Sequence, residues 1–143
     1  MNVETILRHK GNWVATIGPR ATVTEAVEIL NRERIGALVV SDDGGGVDGI
    51  LSERDIVIAL ARHGSELPTC TVEEVMSRAI VTCTPDDSAG ELMAEMTSRR
   101  IRHFPVIANG RLCGIVSIGD FVKSRLDEIE FEANSMRSMI AGS

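Results

Sequence analysis

Displaced by 66 positions, the chain lies on itself. Pro19 falls on Pro85, Thr22 on Ser88, Glu25 on Glu91, Ile35 on Ile101 and Val40 on Val106. With one residue dropped in the next turn the displacement becomes 65. Gly49 then falls on Gly114, Ile50 on Ile115, Ser52 on Ser117 and Asp55 on Asp120. A flanking segment repeats as well, since Val3-Glu4-Thr5-Ile6-Leu7 resembles Val72-Glu73-Glu74-Val75-Met76. A unit of roughly 60 residues is too small to be comfortably stable alone. Two copies in a chain of 143 residues therefore predict a pseudo-twofold pair that shares a core.

Each unit reads as β-α-β-β-α. A short β segment, Trp13 to Ile17 or Ile80 to Cys83, precedes a helix opened by a capping box, Thr22-x-x-Glu25 or Ser88-x-x-Glu91. Val23, Ala26, Val27 and Leu30 give the first such helix an apolar face, as Ala89, Leu92, Met93 and Met96 do in the second. Two strands follow, joined by a Gly-rich or Asn-Gly turn that signals a hairpin. A second helix begins at Ser52 or Ser117. The expected class is α/β (α+β), with residues 1–63 as repeat one, 64–71 as linker, 72–126 as repeat two and 127–143 as a helical tail. Thr71-x-x-Glu74 is a third capping box. The tail's apolar positions, Phe121, Val122, Ile129, Met136, Met139 and Ile140, suit either packing on the same domain or a subunit contact.

Composition narrows the function. Against 15 Lys+Arg stand 21 Asp+Glu, a net charge of -6, which disfavours bulk attraction to nucleic acid or an anionic membrane. One Trp, three Phe and no Tyr leave little surface for stacking successive bases. The longest apolar run, Ile56 to Ala61, falls far short of the roughly 20 residues that span a bilayer. Met1 to Thr5 has no basic region followed by an apolar run, so no signal peptide is expected and a cytoplasmic location is. Cys70, Cys83 and Cys113 are odd in number, widely spaced and away from metal-ligand spacing with His9, His63 or His103, so they read as simple thiols.

The most specific repeated strings are Gly49-Ile50-Leu51-Ser52-Glu53-Arg54-Asp55 and Gly114-Ile115-Val116-Ser117-Ile118-Gly119-Asp120. Each sets a hydroxyl and a carboxylate three residues apart where a strand turns into a helix. One reading is a helix N-cap. The other is a ribose and phosphate site. The carboxylate fits a cis-diol, the Ser hydroxyl and free N–H groups suit a phosphate, and the glycine lets backbone approach a ligand. The second unit adds Arg99-Arg100-Ile101-Arg102-His103-Phe104-Pro105-Val106, a basic string in an acidic chain whose guanidiniums match phosphate geometry. Unit one has Gly36 and Ala37 where unit two has Arg102 and His103, so the two sites differ chemically. Arg54 supplies charge that Gly119 cannot. Gly44-Gly45-Gly46, flanked by acids, reads as a flexible hairpin turn rather than a phosphate loop. No GxSxG, HExxH or paired nucleophile and base is present.

These strings in this order resemble a tandem cystathionine-β-synthase (CBS) domain pair, or Bateman module, from about Val3 to Leu126. The resemblance implies adenosine-nucleotide binding in clefts between the repeats, with no catalysis. Carried over, Asp120 and Asp55 hold ribose, and Ser117 and Ser52 hold ribose or phosphate. Thr82 and Thr16 lie by the base, and Ile118 and Pro105 lie against its faces. Arg102 and His103, from the string that continues through Phe104, contact phosphate with help from Arg54. Ala37 stands where that string would begin in unit one. The expected ligand is AMP, with ADP, ATP, NAD(H) or S-adenosylmethionine as alternatives. The expected partners are a second copy of the chain and a target enzyme or transporter. The competing expectation is a scaffold of the same fold whose Ser and Asp only cap helices.

Overall fold

The computed structural model describes residues 1–142. Ser143, the end of the expected tail, lies outside them. The α-helices and strands are α1 (Val3–Lys10), β1 (Thr16–Ile17), α2 (Val23–Glu33), β2 (Ala37–Val40), β3 (Gly49–Ser52), α3 (Glu53–His63), α4 (Val72–Val75), α5 (Ala89–Arg99), β4 (His103–Ala108), β5 (Arg111–Ser117) and α6 (Ile118–Ala141). In the first unit β1 runs parallel to β2, which pairs antiparallel with β3. In the second, β4 and β5 form an antiparallel hairpin. Its turn places Asn109 and Gly110 both at positive φ, as a tight primed hairpin turn requires. The expected linker is no loose connection, for Gly64–Thr69 winds into a 3-10 helix with Leu67 buried.

The expected strand Ile80 to Cys83 is reduced to one bridge, Cys83 to Val106. The proline at 105 explains the loss. In unit one the Val39 N–H donates to the Ala15 carbonyl at 3.1 Å. The corresponding residues are Pro105 and Val81, and proline has no N–H to give. The expected strand from Trp13 likewise shortens to Thr16–Ile17, and Trp13 stays 59% exposed.

The pseudo-twofold is written in hydrogen bonds, and it exchanges the flanking helices. The Val3 N–H donates to the Asp87 carbonyl and Glu4 N–H to Pro85. Their counterparts are Val72 N–H to Ala21 and Glu73 N–H to Pro19. Thus α1 docks on unit two, and α4 docks on unit one. Val3 and Ile6 are buried with Cys83, Leu92, Met96, Phe104, Val106, Val116 and Phe121. Val72 is buried with Ile17, Leu30, Leu38, Val40 and Leu51. The exchanged segments also cross the first turns of α2 and α5, where Val23 N–H donates to Cys70 and Ala89 N–H to Met1. There Thr22 and Ser88 accept from the Glu25 and Glu91 N–H groups, but neither glutamate makes the return bond of the expected box. At Thr71 the glutamate half is present, with Glu74 accepting from its N–H at 3.3 Å.

The motif glycines serve this exchange, which corrects the expectation that they admit a ligand. A Cβ on Gly49 would meet the Met76 Sδ at 2.6 Å and the Ser77 carbonyl oxygen at 2.7 Å. One on Gly114 would meet the Leu7 Cδ2 at 2.8 Å. Met76 and Leu7 are equivalent residues of the exchanged segments. Gly49→Ala is expected to cost about 1–3 kcal/mol, the usual range for overpacking. Gly114→Ala should cost less, since the end of a Leu side chain moves more readily than a backbone carbonyl. Urea titration of both variants checks the order.

The Gly-rich turn is fastened, where the sequence suggested flexibility. Asp43 Oδ1 accepts from the N–H groups of Gly45 and Gly46 at 2.9 and 2.8 Å and from the Ser41 hydroxyl. These bonds hold its carboxyl below the usual range. The Gly45 carbonyl accepts from the Leu112 N–H at 2.8 Å, which ties the turn to unit two.

Candidate functional site

Both Ser-x-x-Asp strings close reciprocal caps at strand-to-helix turns. The Ser52 Oγ accepts from the Asp55 N–H at 3.3 Å, and Asp55 Oδ2 accepts from the Ser52 N–H and hydroxyl, each at 2.9 Å. Ser117 Oγ accepts from the Asp120 N–H at 3.2 Å, and Asp120 Oδ2 from the Ser117 N–H at 2.8 Å. Each carboxylate thus spends Oδ2 on its cap and turns no bond to Oδ1 among the described residues.

The surroundings of the two differ. Asp120 Oδ2 also accepts from Lys10 Nζ at 2.7 Å, and that ammonium donates to the Ile115 carbonyl at 2.8 Å. In unit one the equivalent carbonyl, of Ile50, is met by a backbone donor, Ser77 N–H. The difference follows from length. Helix α4 stops at Val75 and its chain runs on along β3, whereas α1 continues to Lys10.

Asp55 faces a cleft of about 590 Å³ between the repeats. Ser52, Glu53, Arg54, Asp55 and Ile58 form one wall, and Ala79, Ile80 and Val81 line it from the connection into unit two. Arg99 to His103 and Ser117 to Gly119 close the far side. Four arginines, Arg54, Arg99, Arg100 and Arg102, therefore line it in a chain of net negative charge. Arg99 is held by Glu95 at 3.3 Å, while Arg54, Arg100 and Arg102 make no salt bridge among the described residues. The Val81 carbonyl, robbed of its partner by Pro105, accepts no hydrogen bond among them either. Burial, then the Lys10 charge, holds His103 below the ordinary imidazole value, with Asp120 opposing.

Of the residues singled out by sequence, Ser52, Arg54, Asp55, Arg102, His103, Ser117 and Ile118 line this cleft. Asp120, Thr16, Thr82, Ala37, Phe104 and Pro105 are not among its lining. Thr16 and Thr82 are exposed, Ala37 is buried in β2 opposite Ser52, and Phe104 and Pro105 are fully buried in unit two. Sequence reasoning passed over Ile80, Val81 and Arg100. Arg100 lies inside the basic string. Val81 is visible only once Pro105 is set beside Val39. Burial pushes the Cys83 thiol up to about 12 and raises Cys70 and Cys113 too, which disfavours the thiolate at all three.

Comparison with known proteins settles the family. The CBS-domain model matches residues 14–62 and 72–127. The chain belongs to the CBS-domain family. It is a CBS pair with an added C-terminal helix. A CBS-domain protein of Agrobacterium tumefaciens superposes with a TM-score of 0.84 at 43% identity, over 87% of this chain and 99% of that one. The CBS domain-containing protein YhcV of Bacillus subtilis is 32% identical over 79% of each chain. The CBS pair of protein MJ0100, solved with 5′-methylthioadenosine and S-adenosyl-L-methionine, superposes at 0.76 and 29% identity, over 91% of this chain and 98% of that one. No helix among the described residues is long and apolar enough to cross a membrane.

Proposed function

We propose that this CBS pair is a non-catalytic sensor that binds an adenosine nucleotide, AMP first, in the cleft between its repeats. The observation that carries the reading is the meeting of the Asp55 carboxylate with the free guanidiniums of Arg54, Arg100 and Arg102 across one cleft. Its volume suits a small-molecule site. Asp55 Oδ1 accepts from the ribose hydroxyls. The base lies among Ile80, Ile118 and Ile58, with its amine on the Val81 carbonyl. The guanidiniums take the phosphate. The MJ0100 pair holds adenosyl compounds without phosphate. The arginines here favour a phosphorylated relative of them. The ligand biases the arrangement of a homodimer, and a target enzyme or transporter in the cytoplasm reads the change. Exposed Val57 and Leu60 on α3 and Leu126 and Ile129 on α6 supply apolar surface for the dimer. One observation favours the scaffold reading instead: both Ser-x-x-Asp caps are complete without any ligand.

Titration calorimetry distinguishes these. AMP is expected to bind at least about tenfold more tightly than adenosine, the size of one charge-assisted bond. Phosphate beside His103 raises its pKa from the depressed value of the free protein. The guanidiniums meanwhile lower the second pKa of the phosphate, so the proton count on binding is the sum of uptake at His103 and release from AMP. His103→Gln should remove the uptake and shift the count toward release, as calorimetry in buffers of different ionisation enthalpy would read. Equal affinity for adenosine removes the phosphate assignment. Silence with AMP, ADP, ATP, NADH and S-adenosylmethionine alike leaves the scaffold.

A further inference from the structure

Helix α6 runs 24 residues, yet Phe121 is its one buried residue among those described. Beyond it Val122, Leu126, Ile129, Ala133 and Met136 recur at alternating steps of four and three residues, and Ile140 takes the next step. That alternation is the seam of a two-stranded left-handed coiled coil, since it tracks one stripe along a slightly underwound helix. Val122, Leu126, Ile129 and Met136 are 46, 60, 47 and 64% exposed. The match to the CBS-domain model ends at residue 127, so the later half of the seam lies past the family's own fold.

The flanks name the partner. On one side of the seam stand Lys123, Glu130 and Arg137, and on the other Arg125, Glu132 and Met139. In a parallel pair of identical helices each residue of the second flank faces the first-flank residue five further along its partner. Arg125 then meets Glu130 of the second copy, and Glu132 meets Arg137 of the second copy. Both contacts occur twice by symmetry. In a fully overlapped antiparallel pair Lys123 would meet Arg137, Glu130 its own copy and Glu132 its own copy. All three juxtapositions are repulsive. Within one helix Arg125 now pairs with Glu128 at 3.0 Å, an exposed bridge that competes weakly.

We propose that α6 is a dimerisation helix, which pairs in parallel and in register with α6 of a second copy of this chain. The inference rests on the homodimer of the proposed sensor and not on its ligand. Sedimentation equilibrium of the full chain should find a dimer, and Ile129→Asp should raise its Kd at least about tenfold. Glu130→Arg should weaken it, and Arg125→Glu in the same chain should restore it, a rescue that only the parallel register allows. Mild oxidation of Ala133→Cys should link position 133 to itself, as peptide mass spectrometry would read. A dimer that survives Ile129→Asp, or that forms no 133-to-133 link, overturns the coiled coil and leaves a dimer through another face. A wild-type monomer at every concentration overturns both the coiled coil and the dimer.

Discussion

Asp55→Ala is expected to weaken AMP binding at least about tenfold, while Asp120→Ala leaves it within about twofold. The two aspartates occupy equivalent places in the repeat and make the same cap, so each variant loses about 1 kcal/mol of stability for the cap alone. They diverge in what else they meet. Asp55 faces the cleft with Oδ1 unspent, and a carboxylate accepting from ribose hydroxyls contributes roughly 1.5–3 kcal/mol, which is tenfold or more in affinity. Asp120 stands off the cleft and holds Lys10 at 2.7 Å, so its loss adds up to about 1 kcal/mol for the partly exposed ion pair. The expected pattern is therefore crossed. Asp55→Ala loses more binding, and Asp120→Ala loses more stability. Calorimetry with AMP and thermal melts of the apo proteins read the two axes separately. Lost binding in Asp120→Ala with Asp55→Ala intact would put the ribose at the second motif and sink the assignment to the cleft.

The repeat made most of the fold legible. Paired strings at displacements of 66 and then 65 predicted two units, their hairpins and the strand-to-helix turns, and the element order agrees. Three features escaped, each for a physical reason. The lost strand before β4 depends on one missing N–H at Pro105, a defect that shows only when its cross-strand partner is known. The role of Gly49 and Gly114 depends on what lies above them, and both neighbours, Ser77 and Leu7, come from a distant part of the chain. The cleft depends on which motif carboxylate is covered, and a helix longer by one turn decides that by delivering Lys10 to Asp120. Patterns along the chain predict elements and caps well, because those are local. Who packs on whom is a property of the pair.

The exchange of helices yields the largest expected effect on stability, and it is read far from the mutation. Ile6 is 2% exposed and lies in the core of unit two with Phe104 and Phe121. Ile6→Ala is expected to cost about 2–5 kcal/mol, the range for truncating a buried aliphatic side chain where the site cannot collapse. Against a total of about 5–15 kcal/mol for a domain this is a large fraction. The location of the damage is the sharper test. A division of the chain at residue 63 would assign Ile6 to unit one, and β2 and β3 would then lose hydrogen-exchange protection. In the structure the helix carrying Ile6 touches β5, and its own start is bonded to Asp87 and Pro85. Amides of β4 and β5 should therefore open first in Ile6→Ala, while Leu38 to Val40 keep most of their protection. The mirror experiment uses Val72→Ala, which removes a fully buried side chain from the core of Leu38 and Leu51 and should reverse the pattern. Early loss of protection in β2 and β3 for Ile6→Ala would mean that each helix packs on its own unit in solution. Loss confined to β4 and β5 means that α1 and unit two open together as one cooperative unit, distinct from the core of Leu38 and Leu51.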